Sequence, residues 1–289
     1  NPLSIVSTPS SSLFRVHETR VELGPDADDN EIAYIRDDDK ITDVVIASEK
    51  DAVECLFKIG TLIRKLQKIH HVNAVRLRSL KFNYDPGVYT KGVIGKLGNL
   101  NRLTVANPLR LEIETQFLHS SEIRLAHKKL TKALNNRGIT VYNNTPLLST
   151  VNDTADEIHK LAYACRSMGI EFHHVYVAGL PLQRKWNESR PVDISDVIDI
   201  ATRVRKDGSG REIPRYIILT ELGEVDFGLT SKMIGDNGRV TVKLLPYDLA
   251  YFRGMEPAFS WPSSVKVDGD GKPIVTVAGL TNSTEFFIS

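Results

Sequence analysis

The chain has 289 residues, 41% of them hydrophobic, enough for a full core in one large α/β domain or one domain with an appendage. Its formal net charge is +1, so it carries no electrostatic footprint for nucleic acid or a membrane surface. Cys55 and Cys165 lie far apart; they make neither a disulfide framework nor, alone, a cysteine-ligated metal site, and a reducing, cytoplasmic setting is expected. No apolar run approaches the roughly 18 residues of a spanning helix, and no signal peptide is visible. N-x-S/T patterns begin at Asn143, Asn152, Asn187 and Asn282 and, without a sign of secretion, carry no expectation of glycosylation. The chain begins at Asn1 and runs almost at once into a strand-like stretch, so a leader or further N-terminal segment is expected before it.

In chain order, residues 3–8 (LSIVST) read as a first strand, followed by a Ser-rich loop, PSSSLFRVHETR. DDNEIAYIRDD has acidic and amide residues at its start and Ile32 and Ile35 three apart, which predicts a short helix. ITDVVIAS is the second strand, ending at Ser48. The long amphipathic stretch 51–72 then places Val53, Leu56, Ile59, Leu62, Ile63 and Leu66 at helical steps. NAVRLRSL reads as a third strand and KGVIGKLGNL as a short helix. RLEIET and GITVYNNTPLL give two more strands around the helix AHKKLTKALNN, which stops at Gly138. NDTADEIHKLAYACRSMG is a helix with Asn152 or Asp153 as its expected N-cap and Gly169 as its stop. EFHHVYVAGLP, VDISDVIDIATRVRK and PRYIILTEL complete the alternation as strand, helix and strand.

Strands that alternate with helices argue for a parallel sheet with right-handed crossovers. The stretch 110–153 stands out, because each strand ends in side chains able to hydrogen-bond: Gln116 and His119 after one, Asn143, Asn144 and Asp153 along and after the next. Polar groups at strand C-terminal ends are how parallel α/β proteins build ligand sites. After about Gly223 the pattern changes to short runs separated by Gly, Asp and Asn, with DGDGK as a hairpin connection. The division expected is therefore residues 1–222 for the α/β part and 223–289 for a β-rich extension.

Several segments resemble the lysine 2,3-aminomutase family of the radical S-adenosylmethionine (SAM) superfamily. The family's D-V-L-L-S-G-G-D-A is matched by DVVIASEKDA at 43–52, and its I-P-H-V followed by V-R-I-G-S by IHHV at 69–72 and VRLRS at 75–79. Its T-H/Q-F-N-H-P-x-E-I is matched by TQFLHSSEI at 115–123. Its G-I/V-P-x-x-N-Q-T-V-L-L-R-G-V-N-D is matched by GITVYNNTPLLSTVND at 138–153, the most specific of these. The resemblance covers roughly residues 3–222. It implies an open parallel (β/α)6-type partial TIM barrel, here with a small C-terminal antiparallel β extension, and SAM lying across the strand C-terminal ends. Ser48, Asp51, Ser79, Gln116, His119, Asn144 (where the family has Gln) and Asp153 are the cofactor-binding candidates it supplies. For each, capping a helix or tying a loop is the competing role.

The resemblance breaks at the ligands. The family holds a [4Fe-4S] cluster through C-x3-C-x2-C, since thiolates are soft anionic donors that keep iron through redox cycling. Carried over with its Arg matched to Arg15, that loop places Ser10, Phe14 and His17 at the three positions, so a cluster is not expected from this chain. The two glycines that let backbone approach SAM become Glu49 and Lys50. The substrate-holding Asp positions fall at about Leu180 and Leu219. The Gly-rich segment bearing the pyridoxal phosphate lysine is replaced by LGEVDFGL; Lys232 and Lys243 are the alternatives, each with surface exposure as the competing reading, and pyridoxal phosphate is not expected.

The reading that follows is a cluster-free relative, a non-radical binding or partner subunit that retains a SAM or nucleoside pocket and has a protein partner or self-associates. The alternatives are an enzyme using SAM or a metal in the same cavity, and a radical enzyme whose cluster is completed by a partner chain. Two or more His with a carboxylate hold Zn or Fe. His17, His119, His173 and His174 with Glu49, Asp51 and Asp153 are available, but no H-x-H or H-x-x-x-H pair is present. Strand alternation predicts that His173 and His174 point to opposite faces. The Ser10–Ser12 loop lacks the glycines and lysine of a phosphate loop. The basic cluster Arg64, Lys65 and Lys68 reads as the wet face of a helix.

Overall fold

A computed structural model describes residues 6–101, 109–236 and 239–282. The main sheet has nine strands in the order β1-β2-β3-β4-β5-β6-β7-β9-β10. These are β1 (Phe14–His17), β2 (Arg20–Leu23), β3 (Asp43–Ile46), β4 (Ala74–Arg78), β5 (Arg110–Thr115), β6 (Thr140–Pro146), β7 (Glu171–Ala178), β9 (Arg215–Thr220) and β10 (Gly223–Asp226), with the two-residue β8 (Val192–Asp193) lying outside it. From β2 to β9 every pairing is parallel, while β1 and β10 fold back antiparallel at the two edges.

The sheet is curled into a nearly closed barrel. Arg20 on β2 and Glu224 on β10 are seven pairings apart in strand order, about 33 Å in a flat sheet at roughly 4.8 Å per strand. Their side chains nevertheless meet, Nη2 to Oε2, at 2.8 Å.

Helices cover the outside. They are α1 (Asp29–Asp37), α2 (Leu56–Leu66), α3 (Lys81–Tyr84), α4 (Lys91–Leu100), α5 (Leu125–Asn135), α6 (Ala155–Met168), α7 (Pro181–Trp186), α8 (Ile194–Asp207) and α9 (Leu249–Arg253). Val21, Val44, Val75, Leu111 and Val141 are buried with Ile35, Ile63, Leu97, Leu134 and Leu161 in one continuous core between sheet and helices. Each such side chain contributes roughly 1.5–3 kcal/mol relative to an exposed one. The helix ends follow local chemistry. Asp28 accepts from the N–H groups of Asn30 and Glu31 while Glu31 reaches back to Asp28 N–H at 2.8 Å, a complete capping box. Gly169 ends α6 at φ +79°, a left-handed conformation that glycine adopts without a Cβ clash.

Four expectations change. Of the first strand expected at residues 3–8, residues 3–5 fall outside the described residues, Val6 to Thr8 lie outside regular structure, and the strand beside β3 is Arg20–Leu23. Part of the expected Ser-rich loop is strand β1, because FRVH and RVEL flank the two-residue turn Glu18-Thr19 and close a hairpin. The stretch 51–72 is helical only over Leu56–Leu66, after a single 3-10 turn at Ala52–Cys55. The N-cap of α6 is Thr154, whose hydroxyl accepts from Glu157 N–H at 3.3 Å, rather than Asn152 or Asp153.

Beyond Leu222, β10 continues the main sheet. A second sheet of four strands follows, order β11-β12-β14-β13, from β11 (Ser231–Asp236), β12 (Arg239–Leu244), β13 (Lys266–Val267) and β14 (Pro273–Val277). Asp268 shapes the β13–β14 turn by accepting from the N–H groups of Asp270 and Lys272 at 3.0 and 2.9 Å. The last described strand, β15 (Leu280–Thr281), pairs with β8. The strand-like segment TEFFIS lies outside the described residues. Among the described residues no helix is long and apolar enough to cross a membrane.

Candidate functional site

The barrel interior is built from charges. On β2, β4 and β5 the residues that alternate with the outer apolar set are Glu22, Arg76, Arg78, Glu112 and Glu114, and they bind one another. Arg78 holds Glu22 at 2.7 Å and Glu114 at 2.8 Å; Arg76 holds Glu112 at 3.1 Å and stacks over Tyr142, 5.2 Å from its centroid. Arg78 lies deep in the barrel yet keeps 36% of its side chain open to the cavity above it, so the network is wet on its upper side. On the far wall Glu224 takes Arg20 at 2.8 Å and the Tyr176 hydroxyl at 2.8 Å. Burial alone would raise the Glu224 carboxyl, but the Arg20 guanidinium, His174 and the Tyr176 hydroxyl together hold it down at about 2.

Above this floor, at the strand C-terminal ends, opens a cavity of about 640 Å³. Its lining is partly apolar, with Phe14, Leu23, Leu80, Leu180, Pro181 and Leu219. At the ends of β5 and β6 it includes the uncharged polar residues Gln116 and Asn144. Asn144 is 5% exposed and its Oδ1 has no hydrogen-bond partner. Buried polar atoms are rarely left unpaired, so this one is poised for a bound group or water.

Of the cofactor-binding candidates, Ser48, Gln116 and Asn144 line the cavity. Asp51, Ser79, His119 and Asp153 are satisfied elsewhere. Asp51 accepts from Ser79 Oγ at 2.8 Å and from Lys81 N–H at 2.8 Å, and fully buried Ser79 also accepts from the Tyr89 hydroxyl at 2.7 Å. His119, 41% exposed, pairs with Glu157 at 3.2 Å, and Asp153 accepts from Thr150 N–H at 2.8 Å. These four tie loops and helix starts together. The sequence pointed to Ser48, Gln116 and Asn144 in this lining; Arg20, Arg78, Tyr176 and Glu224 were not among its candidates, because a charge on an alternating strand reads equally as solvent-facing.

His173 and His174 do not point apart. Asn143 pairs with Phe172 and Asn144 with His174, so His173 is an extra residue in β7, a bulge. The two rings stack, 3.8 Å between centroids and 20° between planes, and both ring nitrogens of His174 lack partners. Burial lowers His173 to about 4, assisted by Arg76 and Arg215, and lowers His174 to about 3, assisted by His173. Both stay neutral in the fold but take up protons in the unfolded chain below their ordinary value of 6.5. The unfolded state therefore binds more protons through that window, and stability is expected to be full above pH 6.5 and to fall as the pH drops toward about 4. The slope is at most about 1.4 kcal/mol per pH unit for each ring. His17 and His127, also lowered by burial, act in the same direction. Urea titrations from pH 7.5 to 4.5 should show a shallower slope in a His173→Phe/His174→Phe variant; an unchanged slope would refute the assignment.

The residues do not fit an iron–sulfur cluster. Ser10 Oγ is engaged by Glu31, the Phe14 ring is cavity wall, and His17 Nδ1 bonds Thr19 Oγ1 at 3.1 Å. Cys165 is fully buried in the core and Cys55 stands just before α2. Among the described residues no group of three or more His, Cys, Asp or Glu side chains is placed to hold a metal ion. Among the described residues no lysine lines the cavity where a pyridoxal phosphate lysine would be needed. Lys232 and Lys243 face each other across β11 and β12, and Lys243 is engaged by Asp268 and Asp270.

No protein-family model matches the sequence. It is 24% identical over 222 residues to L-lysine 2,3-aminomutase of Fusobacterium nucleatum, covering 74% of this chain and 50% of that protein. It is also 24% identical over 222 residues to L-lysine 2,3-aminomutase of Clostridium subterminale, covering 74% and 51%. The chain thus spans about half the length of the curated relatives it matches. A radical SAM methyltransferase from Sphaerobacter thermophilus aligns at a TM-score of 0.35 and 11% identity, over 65% of this chain and 57% of that one, too weak a likeness to bear on the fold. Motifs shared in order along the chain and the similarity to these aminomutases make it lysine 2,3-aminomutase-like in sequence, without the cysteines of the cluster motif.

Proposed function

We propose that this chain is a cluster-free relative of the radical SAM enzymes that binds SAM or a related nucleoside in the strand-end cavity and works as a non-radical binding or partner subunit. In this reading the barrel is the open (β/α)6 type, residues 223–289 form its β extension, and neither a [4Fe-4S] cluster nor pyridoxal phosphate is used. The observation that carries it is the contrast between the segment matched to the cluster loop, of which Phe14 lines the cavity, and the strand-end wall of that cavity. The cluster positions offer a hydroxyl already bound to Glu31, an aromatic ring and an imidazole, none of them a thiolate. The wall formed by β5 and β6 keeps a buried, unpartnered hydrogen-bonding atom, Asn144 Oδ1. Leu180 and Leu219, which stand where the family's substrate-holding carboxylates belong, are apolar cavity wall and cannot hold an amino group. Aminomutase chemistry is therefore set aside.

Anaerobic reconstitution with iron and sulfide, followed by iron counting and SAM calorimetry on the same sample, tests the proposal. The expected result is well under one iron per chain, where a cluster would give about four, together with saturable SAM heat that Asn144→Leu weakens by roughly tenfold. A stable four-iron spectrum would overturn the cluster-free reading, and iron retained only with a co-purified protein would assign the cluster to a partner chain.

A further inference from the structure

We infer that the cavity reads the uncharged nucleoside end of its ligand and gives no purchase to a charged amino-acid end. The inference rests on the nucleoside reading above and says which part of the molecule is held. Every charge on the cavity floor is already paired within the wall, Arg20 with Glu224 and Arg78 with Glu22 and Glu114. A ligand charge placed there would have to compete with pairs already made, which costs more than it returns.

The hydrogen-bonding capacity left over on the cavity wall is of another kind. Arg20 Nε is an unpartnered donor and Asn144 Oδ1 an unpartnered acceptor. The same lining includes Phe14, Leu180 and Leu219. A flat, neutral heterocycle with a donor and an acceptor on one edge and apolar faces satisfies both kinds of group. Arg20 supplies a donor while its net charge is cancelled by Glu224, so it does not demand an anion.

The charges that remain stand at the rim. Glu49 is exposed, Glu221 takes the Ser264 hydroxyl at 2.8 Å, and Arg184 donates to the Gly179 carbonyl at 3.2 Å. Ion pairs with such water-exposed groups change affinity by about fivefold at most. The backbone route to an amino group is closed as well, since Glu49 and Lys50 occupy the two positions where close approach needs glycine.

Calorimetry of the full chain with three probes decides it: 5′-methylthioadenosine, SAM and free methionine. The expected result is that methylthioadenosine binds within about fivefold of SAM, or tighter, that methionine gives no saturable heat, and that Asn144→Leu weakens both nucleosides by a common factor of about ten. If SAM binds more than about tenfold tighter than methylthioadenosine, or methionine binds alone, the inference falls while the SAM-binding proposal stands. If none of the three binds, the proposal itself falls and takes the inference with it.

Discussion

Replacing Gly179 with alanine is expected to destabilise the protein by about 4 kcal/mol or more, in the range reserved for a defined steric conflict. Gly179 follows β7 at φ +106°, a conformation open to glycine and strained for alanine. Space is the larger problem. A Cβ there would stand far inside van der Waals contact with the Leu219 carbonyl oxygen, and the obstacle is strand backbone, which cannot rotate away as a side chain would. Relief would require prising β9 from β7 at the cavity rim, which both strands help to form. Gly24→Ala is the control: it also borders the cavity, but its Cβ would meet nothing within 4 Å, so a change within about 0.5 kcal/mol is expected. Urea denaturation of both variants checks this. A loss below about 1.5 kcal/mol at Gly179 would mean that the two backbones are not in close contact.

Arg15→Met is expected to cost about 3–5 kcal/mol, the range for removing one partner of a buried ion pair. Arg15 is 1% exposed, the largest fully buried side chain among the described residues. It donates to Asp38 at 2.6 Å, to the Tyr34 hydroxyl at 3.3 Å and to the Glu18 carbonyl, and so fastens the β1–β2 turn to the end of α1. Methionine replaces the apolar stem but leaves the Glu18 carbonyl and Asp38 without their donor. Asp38, 32% exposed, recovers part of its loss from water, which sets the upper bound. Asp38→Asn should therefore cost less than Arg15→Met. The reverse order in thermal or urea unfolding would show that the carboxylate, rather than the guanidinium, is what fastens this edge.

The resemblance to the aminomutases was legible because it sits in strands and in the residues at their ends, where local pattern and position agree. Asn144 was readable on that ground: it closes an apolar strand within a distinctive segment, and it borders the cavity with an unpartnered oxygen. Asp51 and Ser79 carried the same signal and went to different use, one as a helix cap and the other as its buried partner. A hydroxyl or carboxylate at a strand end serves a ligand or a backbone N–H equally well, and only the surrounding backbone decides between them.

The sequence by itself determined the alternation of strands and helices from β3 to β9, the stop at Gly169, the absence of thiolates at the matched cluster positions and the resemblance. The tertiary structure alone decided which face of each strand is inside. Alternation in Arg76-Leu77-Arg78 and Glu112-Ile113-Glu114 states that the two faces differ, but a charged face reads as the wet outside of a sheet. Here the sheet curls until Arg20 meets Glu224, so the charged faces close on one another and the apolar faces take the helices. The bulge at His173 belongs to the same class, since one extra residue against β6 brings two neighbouring imidazoles into a stack. Period-two patterns assume an unbroken ladder, and strand pairing at long sequence separation is what sets the register.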